Sequence, residues 1–328
     1  MRRELSVVHE SWPLASPFRI ARGVKFAADV VVVQIREGAA CGRGEAVPYA
    51  RYGESIDSVL AQIRSIAAQL VAGMERDALQ DALPPGAARN AVDCALWDLA
   101  SRTSGRPVSA RLGEGPLPPV ASALTVAIDT PEAMRAAAAT LGAASLIKVK
   151  VDAEDPEAQL RAVRAGAPGA RLIVDPNESW TLDILQAMQP VLLETRVELV
   201  EQPLPAEQDE ALEGFVPACP ICADESCRIA ADLPALQRRY QAVNIKLDKA
   251  GGLSEARVLL HEARARGMQV MCGCMVCTSL GIAPAFHIAR HADVVDLDGP
   301  LWLAQDRPGG VRLEDGLLRP PDLWGEPA

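Results

Sequence analysis

The run LIKVKVD at residues 146–152 decides the fold, because a short apolar strand carries two lysines on alternate positions and ends at an acid. Side chains alternate between the faces of a strand, so Lys148 and Lys150 point to the same side. The same construction returns along the chain as IVDPN (173–177), LVEQPL (199–204), ICADES (221–226) and NIKLDKAGG (244–252). Strand candidates begin near Val120, Leu146, Arg171, Val197, Pro220, Val243, Gln269 and Asp293, 23 to 26 residues apart, with polar loops and helical patterns between them. Eight such units fit a parallel barrel wrapped by helices better than an open sheet, since each crossover has the length of a βα unit and closure removes the edges. The expected fold class is α/β, a (β/α)7-8 TIM-type barrel over residues 116–300, with a tail over 301–328 that replaces the last helix and returns to the first module. Residues 1–115 read as an α+β capping domain: strands at Val30–Ile35 and Cys41–Val47, and helices at Ile56–Ala72 and Ala87–Ser101.

The 328 residues include 33 Lys plus Arg against 43 Asp plus Glu, a net charge of −10, which disfavours nucleic acid and acidic membrane surfaces as partners. No apolar run reaches a membrane span and the first ten residues lack a signal-peptide core, so a cytoplasmic location is expected. A homo-oligomer is compatible with this composition. Eight cysteines include clusters at Cys219, Cys222 and Cys227 and at Cys272, Cys274 and Cys277. They lie in or beside apolar strand-like runs with no His at finger spacing, so buried reduced thiols are expected rather than zinc or disulfides. His287 and His291 form an i, i+4 pair without an evident third metal ligand, and read as capping or solvated.

Barrels of this kind do their chemistry at the C-terminal ends of the strands. There the sequence puts Lys148 and Lys150, Asp175 and Asn177, Glu201, Asp224 and Glu225, Lys246 and Asp248, and Asp296 and Asp298. A charge in such a place is costly unless it is paired or bound to a metal. Asp175, Glu201 and Asp224 end three consecutive strands, and three converging carboxylates need a cation. Helix capping is the alternative for each one, but an oxygen-only set from three strands suits Mg²⁺, with Mn²⁺ as a substitute. Lys148 and Lys150 on strand two face Lys246 on strand six across the ring, and two amines across a barrel mouth can remove a proton from one face of a carbon and return it to the other. A base lysine must be partly neutral, which implies a pKa brought from about 10.4 towards 7 or 8. Salt bridges to the three carboxylates are the competing use for the lysines.

In order and spacing these five motifs resemble the muconate-lactonizing-enzyme subgroup of the enolase superfamily. PFRIARG (17–23) and GRGEAVPYARYGES (42–55) resemble its capping domain, so the likeness covers nearly the whole chain. The resemblance implies a Mg²⁺-dependent isomerase with Asp175, Glu201 and Asp224 as metal ligands and Lys150 and Lys246 as paired acid and base. Lys148 would neutralise the substrate carboxylate, with Asn177 and Asp248 in supporting positions. A Lys or His base with Mg²⁺ on an ene-diolate is the general chemistry of that superfamily. No His falls at the end of strand six or seven, which excludes the arrangement with a histidine base.

Asp296-Leu297-Asp298 places both carboxylates on one side of strand eight. Dipeptide epimerases of the superfamily carry such an Asp-x-Asp to receive the substrate ammonium, a need that a lactone or succinylbenzoate does not have; a helix cap is the bland alternative. The expectation is therefore a small dipeptide substrate, L-Ala-D/L-Glu, with Arg22 or Arg19 pairing with the acidic side chain and Thr125 touching substrate. Cys277 in CGCMVCTSLG (272–281) stands where many relatives have Glu. The competing readings are N-acylamino acid racemase, o-succinylbenzoate synthase, cycloisomerase, and a catalytically silent ligand-binding barrel.

Overall fold

In the computed structural model, which describes residues 3–141 and 144–327, the first module is a three-stranded antiparallel sheet. Its strands are β1 (Glu4–Ile20), β2 (Gly23–Glu37) and β3 (Ala40–Ala46), backed by helices Ile56–Ser65, Ala67–Val71, Arg76–Ala82 and Ala87–Ser104. The continuous valine run of β2 is buried on both faces, and alternation divides it. Val30 and Val32 pack into the cluster shared with the barrel, whereas Val31, Val33 and Ile35 pack on the helices. The single helix expected over 56–72 is broken at Ile66, whose backbone leaves the helical region; Ile63, Ile66 and Leu70 then enter the same cluster. Helix Ala87–Ser104 lies so close to β3 that a Cβ at Gly44 would overlap the carbonyl oxygen of Ala91. Gly44→Ala is expected to destabilise the protein by about 1–3 kcal/mol through this overlap, read as a lower midpoint in thermal unfolding.

The barrel strands are β4 (Leu124–Val126), β5 (Leu146–Lys150), β6 (Arg171–Asp175), β7 (Val197–Glu201), β8 (Ile221–Ala223), β9 (Ala242–Ile245), β10 (Gln269–Gly273) and β11 (Val294–Asp296). They pair in parallel and in chain order, and a bridge from Ser122 to Val295, with Ala123 N donating to Val295 O at 2.7 Å, closes the ring. Strand one thus begins four residues later than Val120, which instead pairs with Leu318. An inner layer of Ala123, Leu146, Ile173, Leu199, Cys222, Ala242 and Met271 plugs the lower barrel. Two residues further along each strand, alternation brings Thr125, Lys148, Asp175, Glu201, Asp224, Asn244 and Gly273 to the next layer.

After β11 there is only the turn Gly299–Trp302, followed by the hairpin β12 (Arg312–Glu314) and β13 (Leu317–Arg319). The last residues lie on the first module: Trp324 Nε1 donates to Cys94 O at 3.1 Å and Gly325 N to Asp98 Oδ1 at 2.8 Å. Among the described residues no helix is long and apolar enough to cross a membrane.

Candidate active site

The helix-capping alternative fails on the observed caps. The helix after β6, Leu182–Glu194, is capped by Thr181, and the helical turns after β7 and β8, Ala206–Leu212 and Ala230–Asp232, start beyond Pro205 and Ile229. Asp175, Glu201 and Asp224, all fully buried, are left to face one another at the barrel mouth. Asp298 stands before the turn Gly299–Trp302 without capping it; its Oδ2 accepts from Thr125 N at 2.7 Å and Trp302 Nε1 at 3.3 Å.

Four lysines enter the same charge cluster. Lys148 Nζ lies 2.6 Å from Glu201, 2.8 Å from Asp296 and 3.0 Å from Asp175. Lys150 Nζ lies 2.5 Å from Asp175, and Lys246 and Lys249 each lie 2.6 Å from Asp224. These bonds show why a carboxylate-by-carboxylate reading is incomplete: among the described residues no three acidic, His or Cys side chains stand gathered for a metal, because ammonium groups are interposed. The donor set itself fits a hard divalent cation. It consists of oxygens alone, and the buried Glu201 Oε2 has the Lys148 ammonium at 2.6 Å as its ion-pair partner. Burial and the charges of Asp175 and Asp224 push the Glu201 carboxyl up to about 7. Opposite pressures act on its neighbours: burial disfavours the ionised forms of Asp175 and Asp224, but the adjacent lysines hold both below the ordinary carboxylate range.

Lys246 does not show the lowered pKa expected of a free base. Burial disfavours the charged form of Lys148, yet Asp296, Glu201 and Asp175 outweigh it; for Lys246, Asp224 and Glu201 do the same, and both amines are held above the lysine range. Neutral lysine at this mouth therefore requires the carboxylates to be engaged elsewhere.

One pocket brings together Thr125, Lys148, Lys150, Asn177, Lys246, Asp296 and Asp298, roofed by Phe18, Ile20, Lys25 and Tyr49 of the first module and walled by Cys274, Met275 and Val276. Asp296 Oδ1 is buried there with no partner among the described residues. Burial, then the charge of Asp296, pushes Asp298 up to about 6. Asn177 adopts a left-handed backbone (φ 48°) and donates from N to Asp175 Oδ1 at 2.8 Å and from Nδ2 to Oδ2 at 3.2 Å. Asp248 lies at the seam between modules, where Oδ1 accepts from Val47 N at 2.9 Å and Asn90 Nδ2 at 2.8 Å. Arg22 is not lining this pocket: it donates to Asn177 O at 2.9 Å, to Glu178 at 2.7 Å, and to Tyr49 and Glu225. Arg19 is exposed.

Three further groups were not singled out by the strand-end reading. Lys249 sits one helical turn past Lys246 and fixes Asp224 and Asn244 O; Gln202 Oε1 accepts from Asp224 N at 2.8 Å; Asn244 Nδ2 donates to Glu201 Oε1 at 2.8 Å. Lys249 and Asn244 carry a legible signal, being polar residues in the same strand-to-helix passage as Lys246 and Asp248. His287 and His291, the i, i+4 pair, both lie 3.3 Å from Glu114, away from this pocket.

Residues 2–113 match the family model for the mandelate racemase/muconate lactonizing enzyme N-terminal domain, and residues 130–326 that of the enolase C-terminal domain-like family. The L-Ala-D/L-Glu epimerase of Escherichia coli (strain K12) is 48% identical over 318 residues, covering 96% of this chain and 99% of the relative. An N-acetyl-D-glutamate racemase of a Pseudoalteromonas species is 44% identical, covering 90% and 95%. An enolase family member from Agrobacterium tumefaciens with homology to dipeptide epimerases, solved with sodium and L-Ala-L-Glu, superposes with a TM-score of 0.96 at 46% identity, covering 98% of this chain and all of that one. A dipeptide epimerase from Cytophaga hutchinsonii, complexed with Mg and D-Ala-L-Val, superposes with a TM-score of 0.91 at 27% identity, covering 99% and 95%.

Proposed function

Given that the chain belongs to the mandelate racemase/muconate lactonizing enzyme family of the enolase superfamily, we propose that it epimerises dipeptides at the second residue, with L-Ala-L-Glu and L-Ala-D-Glu as substrates. The observation that carries this is the pair Asp296 and Asp298 at one wall of the pocket, with the buried Asp296 Oδ1 unpartnered. An unsatisfied buried acceptor costs about 1–3 kcal/mol, and a substrate ammonium removes that cost.

In this reading Asp296 and Asp298 anchor the ammonium, and Lys148 pairs with the substrate carboxylate. The α-carbon of the second residue then stands between Lys150 and Lys246. One lysine takes the α-proton from one face while the other, as its ammonium, delivers a proton to the opposite face; the reverse assignment serves the other epimer. Asp175, Glu201 and Asp224 would hold Mg²⁺, which supplies electrostatic stabilisation of the charge that builds on the substrate carboxylate. With these carboxylates so engaged, their ion pairs to Lys150 and Lys246 would weaken, which would let one amine be neutral. Asn177, Gln202 and Lys249 keep Asp175 and Asp224 in place.

Racemisation of N-acetylglutamate is the second reading, favoured by the 44% identical relative. Its substrate has no ammonium, and that difference is the test. Asp298→Asn is expected to lower kcat/KM for L-Ala-L-Glu by about 10²-fold, the scale for breaking a buried charge pair, and to leave N-acetylglutamate turnover no worse. Equal losses for both substrates would remove the ammonium role. The wild-type pH profile carries the same signature. Because Asp298 titrates near 6, lowering the pH through that value neutralises it, and kcat/KM for the dipeptide falls towards tenfold per pH unit. Parallel profiles for the acetylated substrate would contradict this assignment.

A further inference from the structure

We propose that Cys274 and Cys277 form a reversible disulfide in the wall of the pocket, an oxidative modification site that reshapes the wall beside Asp298. The bond forms whichever substrate the pocket takes.

The pair lies in the segment Cys274-Met275-Val276-Cys277, directly after β10. Pairing of β10 with β11 ends at Gly273, and the chain bends at Val276. A Cβ placed on Gly299 would stand 3.0 Å from Cys274 Sγ and 3.4 Å from Cys277 N, so the bend brings both cysteines to one spot. Their side chains meet there: contact with Cys274, and then burial, hold the Cys277 thiol well above its ordinary range. The two differ in access. Cys274 is half-buried and lines the pocket, whereas Cys277 is only 2% exposed behind it. An open thiol backed by a second, enclosed one is the arrangement of an attacking and a resolving cysteine. All eight cysteines are free, and Cys41 and Cys219 are the other two that are not fully buried.

Hydrogen peroxide is the oxidant of the proposed step. The Cys274 sulfur attacks one peroxide oxygen: an S–O bond forms, the O–O bond breaks, and the departing hydroxyl leaves as water with the thiol proton. Cys277 then attacks the Cys274 sulfenic sulfur: the S–S bond forms, the S–O bond breaks, and the hydroxyl leaves as a second water with the Cys277 proton. The two thiols lose two electrons in all, and the peroxide gains them. A dithiol reverses the bond by exchange and is itself left as a disulfide. The bond draws the sulfurs to about 2 Å, closer than two thiols in contact. Cys277 is held by the residues that follow it, because Thr278 N donates to Glu45 Oε1 at 2.8 Å and Ser279 N to Asp306 Oδ1 at 3.0 Å. Cys274 is therefore the one that moves, and Met275 and Val276, which wall the pocket next to Asp298 and Gly299, move with it.

The experiment treats the Mg²⁺-loaded protein with hydrogen peroxide, labels the remaining thiols with N-ethylmaleimide in denaturant, and weighs the tryptic peptide of residues 267–290, which holds Cys272, Cys274 and Cys277. Untreated protein should carry a label on each of the three. After peroxide the peptide should lose two hydrogens and carry a single label, placed on Cys272 by fragmentation. Turnover of L-Ala-L-Glu or N-acetylglutamate, whichever the untreated protein converts, should fall at least fivefold and return to within twofold after dithiothreitol. Cys277→Ala should form no bond: peroxide should carry Cys274 on to the sulfinic acid, two oxygens heavier, and dithiothreitol should not restore turnover. Should that variant fail to fold, Cys277→Ser gives the same comparison. Cys41→Ser and Cys219→Ser should respond to peroxide as wild type does. Labels on both Cys274 and Cys277 after peroxide, or a bond that joins Cys272 instead, overturns the proposal; so does a mapped bond with turnover within twofold of the untreated protein. A protein that converts neither substrate would sink the dipeptide and acetylated readings, while the labels still decide the disulfide.

Discussion

Lys150→Met and Lys246→Met are each expected to abolish epimerisation, by about 10³-fold or more, while each keeps α-proton exchange with solvent for one epimer only. The magnitude is that of a positioned acid/base group. The selectivity follows from the barrel: strands β5 and β9 are four positions apart in a closed ring of eight, so the two amines address opposite faces of a carbon held between them. Methionine preserves the length and packing of the side chain and removes its charge and its proton. A variant keeping only Lys246 can still take a proton from the epimer that faces it and return deuterium to the same face, but cannot invert the centre. Incubating pure L-Ala-L-Glu and pure L-Ala-D-Glu in D₂O with each variant distinguishes this from general damage. Complementary single-epimer exchange is the expected pattern; equal residual exchange of both epimers in both variants would remove the two-lysine assignment.

The second large effect concerns Glu201, the central carboxylate of the three. Glu201→Gln is expected to lose turnover to background and, at the same time, to lose any stabilisation by Mg²⁺. Saturating metal at 100 times its Kd would stabilise the wild-type fold by about 2.7 kcal/mol. The metal-free variant should unfold no more easily than metal-free wild type at pH 8. The sign follows from the raised pKa near 7: as pH climbs from the ordinary glutamate value through 7, the unfolded chain ionises this group more readily than the folded chain, and stability is lost. Glutamine removes that charge, and its Oε1 can still accept from Asn244 Nδ2. Thermal unfolding with and without Mg²⁺ at pH 8 reads both effects. A Mg²⁺-induced shift that persists in the variant would take Glu201 out of the ligand set.

Much of this site is legible because period-two alternation does the same thing on every barrel strand. Leu146, Lys148 and Lys150, or Ile173 and Asp175, read directly as an apolar plug below and charge above. The start of strand one is not legible, since Val120 sits in an apolar stretch whose pairing with Leu318 arises from a hairpin about two hundred residues away. Nor is β1, whose residues are all exposed or half-exposed, are interrupted by Pro13 and Pro17, and shift register between Pro13 and Phe18. The engagement of Arg22 is a property of neighbours far along the chain, Glu178 and Glu225, so in the sequence it looks like any basic residue in a loop-rich stretch. The raised pKa of Lys246 also escapes a local reading, because it depends on Asp224 and Glu201 from two other strands.

The most direct test of the central claim is proton NMR of L-Ala-L-Glu with the Mg²⁺-loaded protein in D₂O. The account predicts loss of the second residue's α-proton signal together with the growth of L-Ala-D-Glu, both stopped by EDTA and restored by added Mg²⁺. Retention of that α-proton with the metal bound, or exchange that continues undiminished in EDTA, would contradict it.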